Sequence, residues 1–177
     1  MQVIKLNLVK FYSNFKLTQG VFIIFFIPFI ISGVLFYNGE LAYTCIRVID
    51  GDTVILKRAH RLIRVRLKFI DAPEVSQYSF DQKPIGLWAK SYLEKKILNK
   101  KVHFTVGEKG FYGRDLGEIF YREESINLDL VKRGLAIPFG YEKPFSYRQA
   151  QYVAKSRSLG IWGVQGFYNP WKFRKMK

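Results

Sequence analysis

From residue 61 to residue 70 the chain alternates clearly. Ile63, Val65, Leu67 and Phe69 fall on one side of an extended backbone, and Arg64, Arg66 and Lys68 on the other. A segment with that period is a half-buried strand, and its apolar face requires a covering layer. Asp71-Ala72-Pro73 ends it, since Pro73 has no N–H to give to a ladder. Just upstream, two β-type runs at 44–49 and 53–56 flank Asp50-Gly51-Asp52, which reads as a tight hairpin. Further strands are expected at 101–106 and 116–121, with a glycine-rich loop at 107–114 between them. Helices are expected at 86–98, at 126–133 closed by Gly134, and at 146–158 before Gly160. Five short strands and about three helices make an α+β domain. A Greek-key barrel of the OB type is the economical arrangement, because closure removes exposed strand edges.

The first 39 residues have a different character. Residues 17–39 contain no charged side chain, and 21–31 are almost wholly apolar. About 18 to 20 residues of helix at roughly 1.5 Å each nearly cross a hydrocarbon core. Pro28 is tolerated in a membrane helix, and Phe36 and Tyr37 stand where interfacial aromatics belong. Lys5, Lys10 and Lys16 precede the run and no acid occurs before Glu40, which leaves the N-terminus cytoplasmic and exports the remainder of the chain. An uncleaved transmembrane anchor is preferred to a signal peptide. The run exceeds the usual h-region of about 7–15 residues, and no A-x-A-like site comes after it. Cleavage would make the protein secreted. The chain thus divides into a basic cytoplasmic segment (1–16), an anchor (17–39), a folded domain (40–163) and a basic aromatic tail (164–177).

Twenty-nine Lys and Arg face fourteen Asp and Glu, a net charge of +15, and few of the basic residues precede the domain. Such a charge favours polyanions, nucleic acid or an anionic membrane surface, and the aromatic content of 17% supplies surfaces on which bases stack. A single cysteine, Cys45, and two histidines, His60 and His103, exclude an internal disulfide and give no zinc spacing. A metal here would be held by carboxylate and carbonyl oxygens, as calcium, magnesium or manganese is.

Against this basic background, Asp50, Asp52, Asp71 and Glu74 cluster at the ends of neighbouring strands. Converging acids repel unless a cation or local positive charge intervenes. Arg66 projects from the strand that ends at Asp71, and Tyr112-Gly113-Arg114 presents a second arginine after a tight turn. Metal-binding acids, a spare carboxylate and two arginines suit phosphodiester hydrolysis. There the equatorial oxygens gain charge and the attacking water needs a proton acceptor.

The order Asp50-Gly-Asp52-Thr53, Arg66-x4-Asp71-Ala-Pro-Glu74, Gly86-x2-Ala89-Lys90, Tyr112-Gly-Arg114 and Gly134-Leu-Ala136 resembles the staphylococcal nuclease (thermonuclease) family. Leu159-Gly-Ile-Trp-Gly163 and Pro170-Trp-x-Phe-Arg174 are similar to bacterial members, so the resemblance spans about residues 44–174. It implies an OB-fold barrel and a calcium-dependent nuclease. By motif, Asp52 and Asp71 would bind Ca²⁺ through carboxylates and Ala72 through its carbonyl, where the family often has Thr. Glu74 would be general base, Arg66 and Arg114 would clamp the phosphate, and Asp50 would lie behind the metal ligands. Tyr112 would contact nucleotide phosphate. Phe111 departs from the lysine of the type member, and Tyr141 is a candidate nucleotide contact. So few protein ligands imply weak calcium binding, on the order of 10⁻⁴–10⁻³ M.

The reading is therefore a membrane-anchored, exported, calcium-dependent endonuclease acting on DNA or RNA with low sequence specificity. No obligate protein partner is inferred. The alternatives are a catalytically silent OB-type module that binds nucleic acid, and a basic tail (Lys172, Arg174, Lys175, Lys177) docked on anionic lipid.

Overall fold

The computed structural model describes residues 42–78, 80, 83–109 and 114–176. The chain divides into two units, Met1–Glu40 and Leu41–Lys177, and the described residues belong to the second. The expected cytoplasmic segment and membrane helix lie outside the described residues. Among those described, no helix is long and apolar enough to cross a membrane.

Strand β1 (Ala42–Val48) pairs with β2 (Thr53–Arg58), and β2 with β3 (Arg61–Leu67), all antiparallel. The Asp50-Gly51-Asp52 turn is the expected hairpin, closed by Ile49 N–H donating to Thr53 O at 2.9 Å. Strands β5 (Lys101–Lys109) and β6 (Asp115–Tyr121) pair with each other, and β5 also pairs with β1. The ring closes where β3 meets β6 in parallel, Val65 opposite Asp115 and Leu67 opposite Gly117. The result is a five-stranded closed barrel in an α+β domain, as the alternation and strand count imply.

The alternation fails at one point. Phe69, placed by period on the core face of β3, has φ +68 and is only half-buried, while Ile70 turns into the core. The strand stops at Leu67 and restarts as β4 (Ile70–Asp71), which pairs with β8 (Ile137–Pro138) in a separate two-stranded ladder. A left-handed aromatic residue is strained, and here the kink is what directs Asp71 away from the barrel wall toward 137.

Helix α1 (Ile85–Ile97) buries Ile85, Ala89, Leu93 and Ile97. From that i, i+4 stripe, Ala89, Leu93 and Ile97 pack in the main core with Val54, Leu56, Val65 and Leu67. Burying each such large aliphatic side chain contributes about 1.5–3 kcal/mol. Strand β7 (Glu124–Ser125) leads into α2 (Ile126–Lys132), capped by Ser125 Oγ accepting from Leu128 N–H. Helix α3 (Phe145–Ser156) lies against α2. The segment 164–176, set apart in the sequence as a tail, packs on the domain. Val164 and Phe167 join Ile85, Ile137 and Ile161 in a second apolar cluster, and a fourth helix, α4 (Pro170–Lys175), lies beyond the three expected.

Asn127 fastens the β3–β6 seam. Its Nδ2 donates to Lys68 O at 2.9 Å and Gly117 O at 3.1 Å, and its Oδ1 accepts from Ile119 N–H at 3.1 Å. The side chain is fully buried, so an apolar replacement strands several groups without partners. Asn127→Ala is expected to lower stability by about 3 kcal/mol, read as a fall in the urea midpoint with little change in slope.

Candidate active site

The hairpin register brings the first acid and the first arginine together. Thr53 is opposite Arg66, and Leu67 N–H donates to Asp52 O at 2.8 Å. Asp52 Oδ1 accepts from Arg66 Nη1 at 2.7 Å, and Asp71 Oδ1 accepts from Arg66 Nη2 at 2.8 Å. One guanidinium fork therefore spans two carboxylates from different segments. Ala72 N–H donates to Asp52 Oδ2 at 3.0 Å, and Thr53 Oγ1 to Asp52 Oδ1 at 3.1 Å. Asp50 stands behind them, its Oδ1 accepting from Asp52 N–H at 3.0 Å.

Two small residues of the Gly86-x2-Ala89 motif explain why these segments converge. A Cβ on Gly86 would sit 1.5 Å from Glu74 O, so the Glu74 backbone lies directly on α1. A Cβ on Gly51 would sit 2.7 Å from the Cβ atoms of both Ala72 and Ala89. Helix α1 is thus the surface against which the Asp50–Asp52 turn and the Asp71–Glu74 loop are both pressed. Gln77, fully buried, secures the loop: its Oε1 accepts from Glu74 N–H at 3.3 Å and its Nε2 donates to Tyr168 O at 2.7 Å.

Asp52 and Asp71 are buried, with side chains 5% and 0% exposed. Burial pushes the Asp52 carboxyl up to about 7; Arg66 opposes this, and Asp50 and Asp71 add to it. Burial is the largest cause, so the ionised carboxyl is costly here and further positive charge beside it would be stabilising. The donors are all hard oxygens, and two buried carboxylates side by side fit a hard divalent cation. Among the described residues no three acid, histidine or cysteine side chains already form a cage, so water and substrate oxygens would complete any shell.

The other expected residues are more scattered. Glu74 is half-buried, and its Oε1 accepts from Arg174 Nη1 at 2.9 Å. Arg114 is half-buried just before β6, whose first residue lies opposite Val65, so it borders the strand carrying Arg66. Tyr112, with Phe111 and Gly113, lies outside the described residues. Tyr141 is fully exposed and lines a cavity of about 360 Å³ with Arg66, Lys68, Phe69, Leu116 and Phe139. Phe139 N–H donates to Phe69 O at 2.8 Å, which hangs this wall on the same kink that aims Asp71.

The sequence groups Arg174 with the other basic residues of the tail and assigns it no place among the acids. Its side chain reaches the acids, Nη2 donating to Asp71 Oδ2 at 2.8 Å. Asn169 caps α4 through Oδ1 accepting from Trp171 N–H at 2.9 Å, with Pro170 in the first turn. That Asn-Pro start was the available signal for the helix. No local pattern marks Gln77.

Gly86→Ala must displace the Glu74 backbone. It is expected to cost about 1–3 kcal/mol of stability and to perturb the loop amides of 74–77 by NMR more than those of the β5–β6 hairpin.

Comparison with known proteins identifies the family. Residues 64–164 match the family model described as Staphylococcal nuclease homologue. The thermonuclease of Staphylococcus intermedius is 35% identical over 131 residues, covering 71% of this chain and 77% of that protein. An uncharacterized endonuclease of Haemophilus influenzae is 34% identical over 138 residues, covering 76% and 74%. A micrococcal nuclease of Shigella flexneri is 31% identical over 151 residues, covering 78% and 81%. With a barrel of this topology, acids and arginines at one end of it, and these relatives, the chain belongs to the staphylococcal nuclease homologue family.

Proposed function

We propose that this protein is a calcium-dependent endonuclease that hydrolyses phosphodiester bonds of DNA or RNA with little base preference. The observation that carries the reading is the Arg66 fork across the buried carboxylates of Asp52 and Asp71. It puts a phosphate-binding group and two hard oxygen donors within one hydrogen bond of each other. Asp52, Asp71 and the Ala72 carbonyl are the residues that would hold the cation, with Asp50 fixing the backbone of Asp52. Bound there, the cation would supply Lewis-acid stabilisation of the phosphoryl oxygens.

The side chains divide the rest of the work. Arg66 and Arg114 present guanidinium groups to the equatorial oxygens, where charge grows in the transition state. Glu74 takes the proton of the attacking water as the water adds to phosphorus and the bond to the leaving oxygen breaks. The basic surface attracts the backbone irrespective of sequence. The cavity walled by Phe139 and Tyr141 beside Arg66 offers ring faces on which a base can stack. Tyr112 precedes Arg114 by two residues and is a further phosphate contact in this reading. Residues 17–39 are proposed to anchor the chain with the nuclease domain exported, on the strength of their uncharged apolar length and the preceding lysines.

Incubating the chain with single-stranded DNA, duplex DNA and RNA, in calcium and in EGTA, tests the reading. Cleavage in calcium that EGTA abolishes is expected; retarded but intact nucleic acid would instead establish a silent binding module. Glu74→Gln and Arg114→Ala are each expected to lose roughly 10²–10⁴-fold in rate while circular dichroism stays unchanged. Tyr141→Ala is expected to raise KM for single strands more than it lowers kcat, since stacking on the exposed ring contributes about 1–3 kcal/mol per base.

A further inference from the structure

We propose that Arg174 is an internal cation of the metal centre, and that the divalent cation enters by displacing it. This rests on the reading of Asp52 and Asp71 as metal ligands. The guanidinium of Arg174 forks across two different acids, Nη2 to Asp71 Oδ2 at 2.8 Å and Nη1 to Glu74 Oε1 at 2.9 Å. Arg66 already holds the other oxygen of Asp71. Each oxygen of this fully buried carboxylate therefore already accepts from a guanidinium group, which crowds any metal that would share it.

A divalent cation ligated by Asp71 would stand close to two guanidinium groups on the same carboxylate, and the repulsion falls if one of them leaves. Asp50, Asp52, Asp71 and Glu74 outnumber Arg66 and Arg174, and replacing one arginine by a divalent cation reduces the uncompensated negative charge, which favours an incoming phosphate. Arg174 is the arginine able to leave. It stands on a six-residue helix and its side chain is 36% exposed, whereas Arg66 belongs to the barrel wall. The segment before α4 stays tethered by Gln77 Nε2 to Tyr168 O and by Phe167 in the second apolar cluster, so a swing confined to 169–176 suffices.

Linkage makes the test independent of catalysis: whatever the cation displaces must weaken its binding by the same factor. Calcium chloride is titrated calorimetrically, without nucleic acid, into the full chain and into Arg174→Gln and Arg174→Lys. The glutamine variant is expected to bind calcium about tenfold more tightly, with the lysine variant in between. In the unaltered chain, hydrogen exchange at 170–176 is expected to rise on adding calcium and to fall back in EGTA. Unchanged or weaker calcium binding by Arg174→Gln would overturn the inference, because Arg174 would then be supporting Glu74 in the loaded centre. Added protection of 170–176 by calcium in the unaltered chain would overturn it too, even if the variants fail to fold. If the chain cleaves nucleic acid in calcium and either of those results is found, the inference alone falls. If calcium neither binds nor supports cleavage, both readings fall.

Discussion

Carboxylates at one end of this barrel are held together against their own repulsion, and much of the neighbouring structure serves to manage that cost. Asp52 and Asp71 are buried deeply enough that an ionised pair could not persist without positive charge between them. Arg66 provides it, and its position is set by the β2–β3 register, not by a mobile loop. A rigid strand arginine shared by two acids gives the centre a fixed geometry. Burial still raises the Asp52 carboxyl in spite of that arginine. A site built to take up more positive charge can respond both to a metal and to a further arginine.

The fold supplies that geometry through close approach more than through polar contacts. Helix α1 seats two acid-bearing segments because it presents Gly86 and Ala89 where larger residues would hold the backbones apart. Asn127 does the complementary work on the other side, joining α2 to both strands of the seam through one amide. The site is positioned by one helix from behind and by a parallel seam from the side. Such an arrangement tolerates varied surface charge but little change in side-chain volume at 51, 86 and 89.

Elements governed by local physics were legible in the sequence. The hairpin at Asp50-Gly51-Asp52, the strand from Arg61 and the helices near 86–98 and 126–133 each carry their period and their turn residues within a short window. Asp52, Asp71 and Arg66 were legible as candidates because acids that cluster in a basic chain stand out. The kink at Phe69 was not, since an aromatic residue gives no warning of a positive φ. Gln77, Asn127 and Arg174 were missed for one reason: their partners at Tyr168, Lys68 and Asp71 lie 91, 59 and 103 residues away. A tail rich in lysine, arginine and aromatic residues looks locally like a solvated surface, and only the folded chain shows one of its charges turned inward.

The distance in sequence between Asp71 and Arg174 has a consequence for biosynthesis. A ribosome completes all five barrel strands, and Asn127 to lock them, well before it adds Arg174. The nascent domain passes through a stage in which Arg66 alone balances the buried acids. Any chain cut short near 170 would remain at that stage for good, as a folded barrel whose acid cluster is permanently short of one positive charge.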